Sequence, residues 1–269
     1  MTATARFEQR RRPTIFDEVP WLYDRFRPGY PDDVIEAVIE LARMSPGSAV
    51  LEVGAGTGQL TLPIVGRGFR VTGLEPGRRM AALLARKLRN DTSSTVIAAR
   101  FEDAPIAWGT HDLVISATAF HWVDPSRRYA LAADALRPGG GLALLRNDHV
   151  AAPSSAPFYR GVRELYARHA PELGAYGAPS TDELRGFADE VEASGRFSVL
   201  GERRFEWEER YSAASIVGLL RTYSDHRALP ARRRARLHAA IRGFVETELD
   251  GSFVDRYVTT LCIGQRVDG

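Results

Sequence analysis

Long apolar runs, lysine and cysteine are what this chain has least of. No stretch of about 18 apolar residues occurs, so a membrane-spanning helix is not expected. Residues 1–13 are polar and arginine-rich with no apolar segment. They read as a disordered tail and carry no secretory signal. Cys262 is the only cysteine, which rules out an internal disulfide and a thiolate zinc cluster and fits a reducing compartment. A cytoplasmic protein is the expectation, with no metal. Lys87 is the only lysine, and all other basic side chains are arginine, a bias of composition rather than function. Net charge is only +2, so neither nucleic acid nor a membrane surface is generally attracted. No internal repeat or low-complexity segment is visible.

What is present is an ordinary globular chain of 269 residues, 44% hydrophobic and 26% charged, long enough for one domain or a domain with a cap. It is organised around Ala49-Val50-Leu51-Glu52-Val53-Gly54-Ala55-Gly56-Thr57-Gly58-Gln59. A short apolar run suited to a buried strand leads into three glycines at alternate positions, then into the apolar opening of a helix. Such a turn lets the backbone bend sharply and presents N–H groups to a polar ligand. A second apolar run ends at Glu75, 75 − 54 = 21 positions after Gly54. An acid about 20 residues past a glycine turn accepts from ribose hydroxyls in nucleotide-binding α/β units. The glycine spacing is not G-x-G-x-x-G, which argues against a dehydrogenase, and there is no G-x-x-x-x-G-K-[ST].

Glu52-x-Gly54-x-Gly56-x-Gly58, with Glu75, resembles the first motifs of the class I S-adenosylmethionine-dependent methyltransferases. The resemblance implies a Rossmann-like, doubly wound α/β fold with a seven-stranded, mostly parallel sheet. It sets the glycine turn against the methionine part of the cofactor and Glu75 on the ribose. Glu52, Gly54, Gly56, Thr57, Gly58, Glu75 and Pro76 are the cofactor-binding candidates of this half. Met80 falls where the family packs an apolar side chain near the adenine, although plain core accounts for it as well. Arg100-Phe101-Glu102-Asp103 falls at the family's adenine-bracketing segment, with Arg100 where an acid is frequent. Phe101 is a candidate for stacking on the purine and Glu102 for its amine.

Tyr23-Asp24-Arg25-Phe26-Arg27-Pro28-Gly29-Tyr30-Pro31 looks like the segment that closes over the cofactor in many small-molecule members. Tyr23 and Arg27 are its ligand-facing candidates and Tyr30 a candidate for the acceptor; an aromatic clamp packing the first helix is the other reading. Arg27 suits a carboxylate. Ala119-Phe120-His121-Trp122-Val123-Asp124 leaves a strand end, where open α/β sheets bind ligands. It looks like a segment of the branch that includes the trans-aconitate methyltransferases. Thr118 and His121 are cofactor candidates, Trp122 an acceptor candidate. His121 either acts as a base or packs locally as a cap.

Helices are expected over 32–43, 77–88, 124–136, 158–169, 181–194, 212–223 and 231–249, and strands over 49–53, 71–75, 94–98, 112–115, 142–145, 197–200, 203–207 and 257–263. Arg137-Pro138-Gly139-Gly140-Gly141 reads as a turn. The expected organisation is a tail (1–13), a cofactor-binding core (14–150), an inserted helical cap with late sheet elements (151–256) and a closing strand (257–269). The cap would form the acceptor pocket, with Tyr223 an acceptor candidate and His226 a second candidate base beside His121.

The implied reaction is methyl transfer from S-adenosylmethionine to a small-molecule acceptor by in-line displacement, releasing S-adenosylhomocysteine. Other acceptors are RNA or protein, and a protein that binds the cofactor without turnover is a third reading. No Asn/Asp-Pro-Pro-Tyr motif and no RNA-binding module is visible. A monomer or homodimer is expected.

Overall fold

The computed structural model describes residues 13–174 and 176–267. The expected tail therefore lies almost wholly outside the described residues. Seven strands form one sheet in the order β3-β2-β1-β4-β5-β7-β6. They are β1 (Ala49–Val53), β2 (Arg70–Leu74), β3 (Thr95–Ile97), β4 (His111–Ala117), β5 (Leu136–Val150), β6 (Phe197–Ser212) and β7 (Ser252–Arg266). β1 pairs in parallel with β2 and β4, β2 with β3, and β4 with β5. The chain divides into two compact units. A sheet unit holds Pro28–Asn147, Arg185–Phe205 and Thr259–Gly269; a helical unit holds Met1–Arg27, Asp148–Leu184 and Glu206–Val258.

In the sheet unit the strands read as continuous apolar runs because both faces are covered. Leu51, Val53, Val114, Leu142 and Leu144 belong to one core cluster. The alternate residues Val50, Leu113, Ile115, Ala143 and Leu145 belong to another. This is the period of two that sends neighbours to opposite faces. Helix α2 (Asp32–Leu41) fills the second cluster with Val34, Ile35 and Val38, and α5 (Arg128–Ala135) fills the first with Leu131, Ala132 and Ala135. Between them in sequence lie α3 (Thr61–Val65) and α4 (Arg78–Lys87). Asp32 and Asp33 in the first turn of α2 oppose the positive end of its dipole.

The helical unit contains α1 (Pro20–Phe26), α6 (Ala156–His169), α8 (Ala213–Leu220), α9 (Ser224–Ala228) and α10 (Ala231–Glu248). Phe158, Val162, Ile216, Leu219, Leu220, Leu237, Ile241 and Val245 make its core. Ser212 caps α8 by accepting from the Ser215 N–H at 3.1 Å.

Several boundaries differ from the sequence reading. Segment 137–141 falls within the bounds of β5, but His111 of β4 pairs with Leu136 and Leu113 with Gly141, so residues 137–140 bulge out between the two pairs where a turn was expected. Helix α5 starts four residues later than expected. The Asp124 carboxylate instead closes a turn on the N–H and hydroxyl of Ser126, at 2.9 and 2.7 Å. Segment 181–194 is a 3-10 turn (Thr181–Glu183) followed by α7 (Ala188–Ala193). Glu202 of β6 takes the N–H groups of Phe187 and Ala188 and so starts α7 afresh. The two expected strands over 197–207 are one, β6. Helix α1 sides with the helical unit because the Phe26 ring lies where a Cβ on Gly218 would be, 2.6 Å from it. Among the described residues no helix is long and apolar enough to cross a membrane, and no group of three or more His, Cys, Asp or Glu is placed to hold a metal.

Candidate functional site

The glycine turn follows directly from β1. Gly54, Gly56 and Gly58 have φ of +80°, +57° and +100°. Three left-handed residues in five positions would cost any other residue type about 1–2 kcal/mol each. Space adds to conformation: a Cβ on Gly54 would sit 2.3 Å from the Ala119 Cβ, and one on Gly58 2.7 Å from Leu84 Cδ1. The N–H groups of Gly54 and Ala55 both donate to the Leu74 carbonyl at 2.9 Å, tying the turn to the end of β2. Gly54→Ala is therefore expected to destabilise the protein by about 2 kcal/mol, from backbone strain and overpacking together. Urea unfolding measures it.

Glu75 leaves the end of β2 and is 6% exposed. Its Oε2 accepts from the Gly56 N–H at 2.9 Å and its Oε1 from the Gly77 N–H at 2.7 Å. One carboxylate thus joins the glycine turn to the start of α4. Glu52 is buried beneath the turn, and the Thr61 hydroxyl donates to its Oε2 at 2.6 Å. Burial pushes its pKa up to about 8; the Thr61 bond opposes the rise and the Glu75 charge adds to it. Glu52 is therefore protonated at neutral pH in this state. Thr57 is buried, and its carbonyl accepts from Lys87 Nζ at 2.8 Å, so the only lysine fastens the back of the turn. Pro76 is half-buried, and Met80, 2% exposed, belongs to the core.

At the next strand ends the placement is mixed. Phe101 is 2% exposed and packed in the core of the sheet unit, its ring stacked on Trp108 at 6.4 Å. That corrects the expectation that it offers a face to a purine: its faces are spent on the interior. Glu102 Oε1 accepts from the Asp124 N–H at 3.0 Å and from Arg100 at 3.1 Å. Burial alone would raise its pKa, but Arg100 and these N–H bonds hold it below the usual value.

Thr118, just past β4, has φ of +54°, an outlier for a β-branched residue. Its N–H donates to the Leu145 carbonyl at 2.8 Å. Its hydroxyl meets the Tyr30 hydroxyl at 3.3 Å and the Asn147 N–H at 3.5 Å. Asn147 also donates to the Gly29 carbonyl at 3.1 Å and accepts from Thr259 at 2.6 Å. Strain held by surrounding bonds is typical of ligand sites. His121 lies in the 3-10 turn Phe120–Trp122, its ring 4.9 Å from that of Trp122. The residue is exposed as a whole, yet its ring is crowded by protein. That desolvation, with the charges of Arg128 and Arg146, lowers its pKa to about 4. It is neutral at pH 7 and a weak base.

Tyr23, Arg27, Tyr223 and His226 lie in the helical unit. The Arg27 guanidinium is 4.6 Å from the Tyr223 ring centroid, 5.3 Å from that of Tyr23 and 5.9 Å from that of Phe16. Its Nε donates to the Thr222 hydroxyl at 2.9 Å. His226 is fully buried, its Nε2 bonded to the Tyr166 hydroxyl at 2.8 Å and its Nδ1 to His238 Nε2 at 3.0 Å. With both ring nitrogens engaged and its pKa lowered to about 3 by burial and Arg234, it is no general base, contrary to expectation. The sequence reading also missed His149, which bonds the buried Asp255 through Nδ1 at 2.7 Å and the Tyr223 hydroxyl through Nε2 at 2.7 Å. The signal was its position four residues past the expected strand 142–145, at the strand end where α/β sheets gather ligands.

A family profile described as a methyltransferase domain matches residues 50–140, the stretch from β1 into β5. An uncharacterized methyltransferase of Mycobacterium tuberculosis is 29% identical over 225 residues, 84% of this chain and 83% of that protein. One of Schizosaccharomyces pombe is 25% identical over 228 residues, 84% of each. Among solved structures, a putative type II methyltransferase from Anaeromyxobacter dehalogenans shares the fold, with TM-score 0.61 and 24% identity, over 89% of this chain and 98% of that one. Strand order, glycine turn, the matched methyltransferase domain and the relatives together make the chain similar to methyltransferases, on the Rossmann-like fold it shares with them.

Proposed function

We propose that this methyltransferase acts on a small-molecule acceptor by in-line displacement, with Glu75 as the residue that selects the nucleoside. The observation that carries this reading is the Glu75 carboxylate fixed by the Gly56 and Gly77 N–H groups beside three left-handed glycines. A carboxylate has acceptors and no donor, which suits a ribose diol. S-adenosylmethionine supplies a methyl group on a sulfonium, already a good leaving group. The protein's task is then mainly to hold the acceptor near that carbon and in line. Thr118, Tyr30, His121 and Trp122 follow the end of β4 or bond to it and are assigned to the reacting half of the site. The likeness of 119–124 to the trans-aconitate-type branch supports a metabolite acceptor without fixing its functional group. An RNA acceptor would draw on Arg232, Arg233, Arg234 and Arg236, but Arg233 pairs with Glu172, and Arg234 donates to the Arg227 and Leu229 carbonyls.

Calorimetric titration with S-adenosylhomocysteine, followed by a labelled-methyl screen of metabolites, tests the reading. Saturable binding and labelling of a low-molecular-weight product are expected. Absence of binding overturns it, and labelling confined to RNA or protein overturns the acceptor class.

A further inference from the structure

Thr118 is exposed and left-handed, with φ of +54°, so packing in a core does not hold it there. The next residue, Ala119, is what a Cβ on Gly54 would strike, at 2.3 Å. The conformation of Thr118 therefore sets how the 3-10 turn Phe120–Trp122 approaches the glycine turn. Hydrogen bonds supply the hold. The Thr118 N–H donates to the Leu145 carbonyl at 2.8 Å, and its hydroxyl meets the Tyr30 hydroxyl at 3.3 Å. Asn147 stands two positions past Leu145 on β5 and shares its face. Its backbone N–H reaches the Thr118 hydroxyl at 3.5 Å. Its side chain is engaged at both ends. The amide oxygen accepts at 2.6 Å from the hydroxyl of Thr259, fully buried in β7, and the amide nitrogen donates to the Gly29 carbonyl at 3.1 Å. Turned over, the amide would set its oxygen against the Gly29 carbonyl, two acceptors with no proton between them. Gly29 also passes the glycine turn, since a Cβ on it would lie 3.9 Å from the Gln59 carbonyl oxygen. Pro28 and Pro31 flank the Gly29-Tyr30 pair and limit its backbone freedom. All of these residues belong to the sheet unit.

We propose that Asn147 is a positioning residue of the cofactor site: by tying Gly29 and Tyr30 to the end of β4 it keeps Thr118 left-handed and Ala119 seated on Gly54. The inference rests on the methyltransferase reading above and concerns binding of the nucleoside cofactor rather than of the acceptor. A left-handed β-branched residue costs about as much as one or two hydrogen bonds return. Thr118 is thus held by a narrow margin. Without the Asn147 amide the Gly29 carbonyl is released, the Tyr30 hydroxyl loses its place, and Thr118 relaxes to negative φ. Ala119 then swings away from Gly54. The binding-competent turn is populated only in part, and the apparent affinity for the cofactor falls by that fraction. A glycine at position 118 would need no such support, because it enters positive φ about as readily as negative.

The test is calorimetric titration of the full chain with S-adenosylhomocysteine in a double-mutant cycle of wild type, Asn147→Ala, Thr118→Gly and the two substitutions together. Asn147→Ala should raise Kd about 5- to 30-fold, which corresponds to about 1–2 kcal/mol. In the Thr118→Gly background the same substitution should change Kd by less than about twofold. A plain stitch between β5 and β7 would instead lower the melting temperature in both backgrounds and leave the change in Kd indifferent to position 118. Asn147→Asp keeps the bond from Thr259 and the size of the side chain but faces the Gly29 carbonyl with a second acceptor, so it should match Asn147→Ala. Thr259→Val, which removes only the anchor of the amide oxygen, takes the place of Asn147→Ala in the cycle if that variant does not fold. An equal rise in Kd in both backgrounds overturns the proposal, as does an unchanged Kd in Asn147→Ala or Asn147→Asp. Failure of the wild type to bind S-adenosylhomocysteine overturns the methyltransferase reading itself, whereas binding whose response to Asn147 ignores position 118 overturns only the role of Asn147.

Discussion

Replacing Glu75 by alanine is expected to weaken S-adenosylhomocysteine binding by about 1.5–3 kcal/mol, a 10- to 150-fold rise in Kd. Two losses add. The ribose loses a charged acceptor, and the N–H groups of Gly56 and Gly77 lose the partner that now holds them at 2.9 and 2.7 Å. Orphaned buried donors cost about 1–3 kcal/mol each, so the variant should also unfold at lower urea. Glu75→Gln separates the two effects. Its amide oxygen can keep one N–H partner, but its NH2 turns a donor towards the other and lacks the charge the ribose hydroxyls see. It should bind weakly while unfolding closer to wild type. Isothermal titration and urea unfolding on the same samples read both terms. Unchanged affinity in both variants would mean that Glu75 does not hold the ribose.

The parts of this site that were legible in the sequence are those dictated locally. Three glycines stand where φ is positive, and no other residue type meets that demand cheaply. Glu75 could be found by counting, because a strand, a turn and a helix of ordinary length fix its distance from Gly54. The central strands could be read as short apolar runs because both of their faces are buried. The parts that were not legible depend on pairing between distant residues. Segment 137–141 carries every local mark of a turn, yet it bulges from the middle of one long strand, held by the pairs His111–Leu136 and Leu113–Gly141 on either side. Phe101 has the composition of a ligand-stacking residue, but Trp108 and the core take its faces. His226 stands in a polar run, Thr222-Tyr223-Ser224-Asp225-His226, that suggests a surface, and only Tyr166 and His238 make its burial affordable. His149 and Asp255 are separated by 106 positions, so no local pattern could join them.

Acidification is expected to destabilise the helical unit through its buried histidine pair. His226 and His238 have pKa values lowered to about 3 in the folded protein, against 6.5 when unfolded. Burial is the main cause for both; Arg234 adds for His226, and His226, Arg234 and Arg221 add for His238. Between those limits the unfolded state binds more protons. Stability is thus unaffected above pH 6.5 and falls as pH drops from 6.5 towards 3, at up to about 1.4 kcal/mol per pH unit for each histidine. Two such groups approach the whole stability of an ordinary domain, about 5–15 kcal/mol, within a few pH units. Glu52 runs the other way: its folded pKa of about 8 lies above its ordinary 4.5, so its contribution is full below 4.5 and is lost as pH rises towards 8. Amide hydrogen exchange read separately over 206–258 and 49–117 should show protection in the first segment falling from pH 7 to pH 5 after correction for intrinsic rates. Protection in the second should fall less, because Glu52 opposes the acid response of its one buried histidine, His111. His238→Gln, which keeps a side-chain hydrogen-bonding group near His226 without an imidazole to titrate, should flatten the pH dependence of the first segment by about half. An unchanged slope in that variant would show that the buried imidazole pair does not set the acid limit.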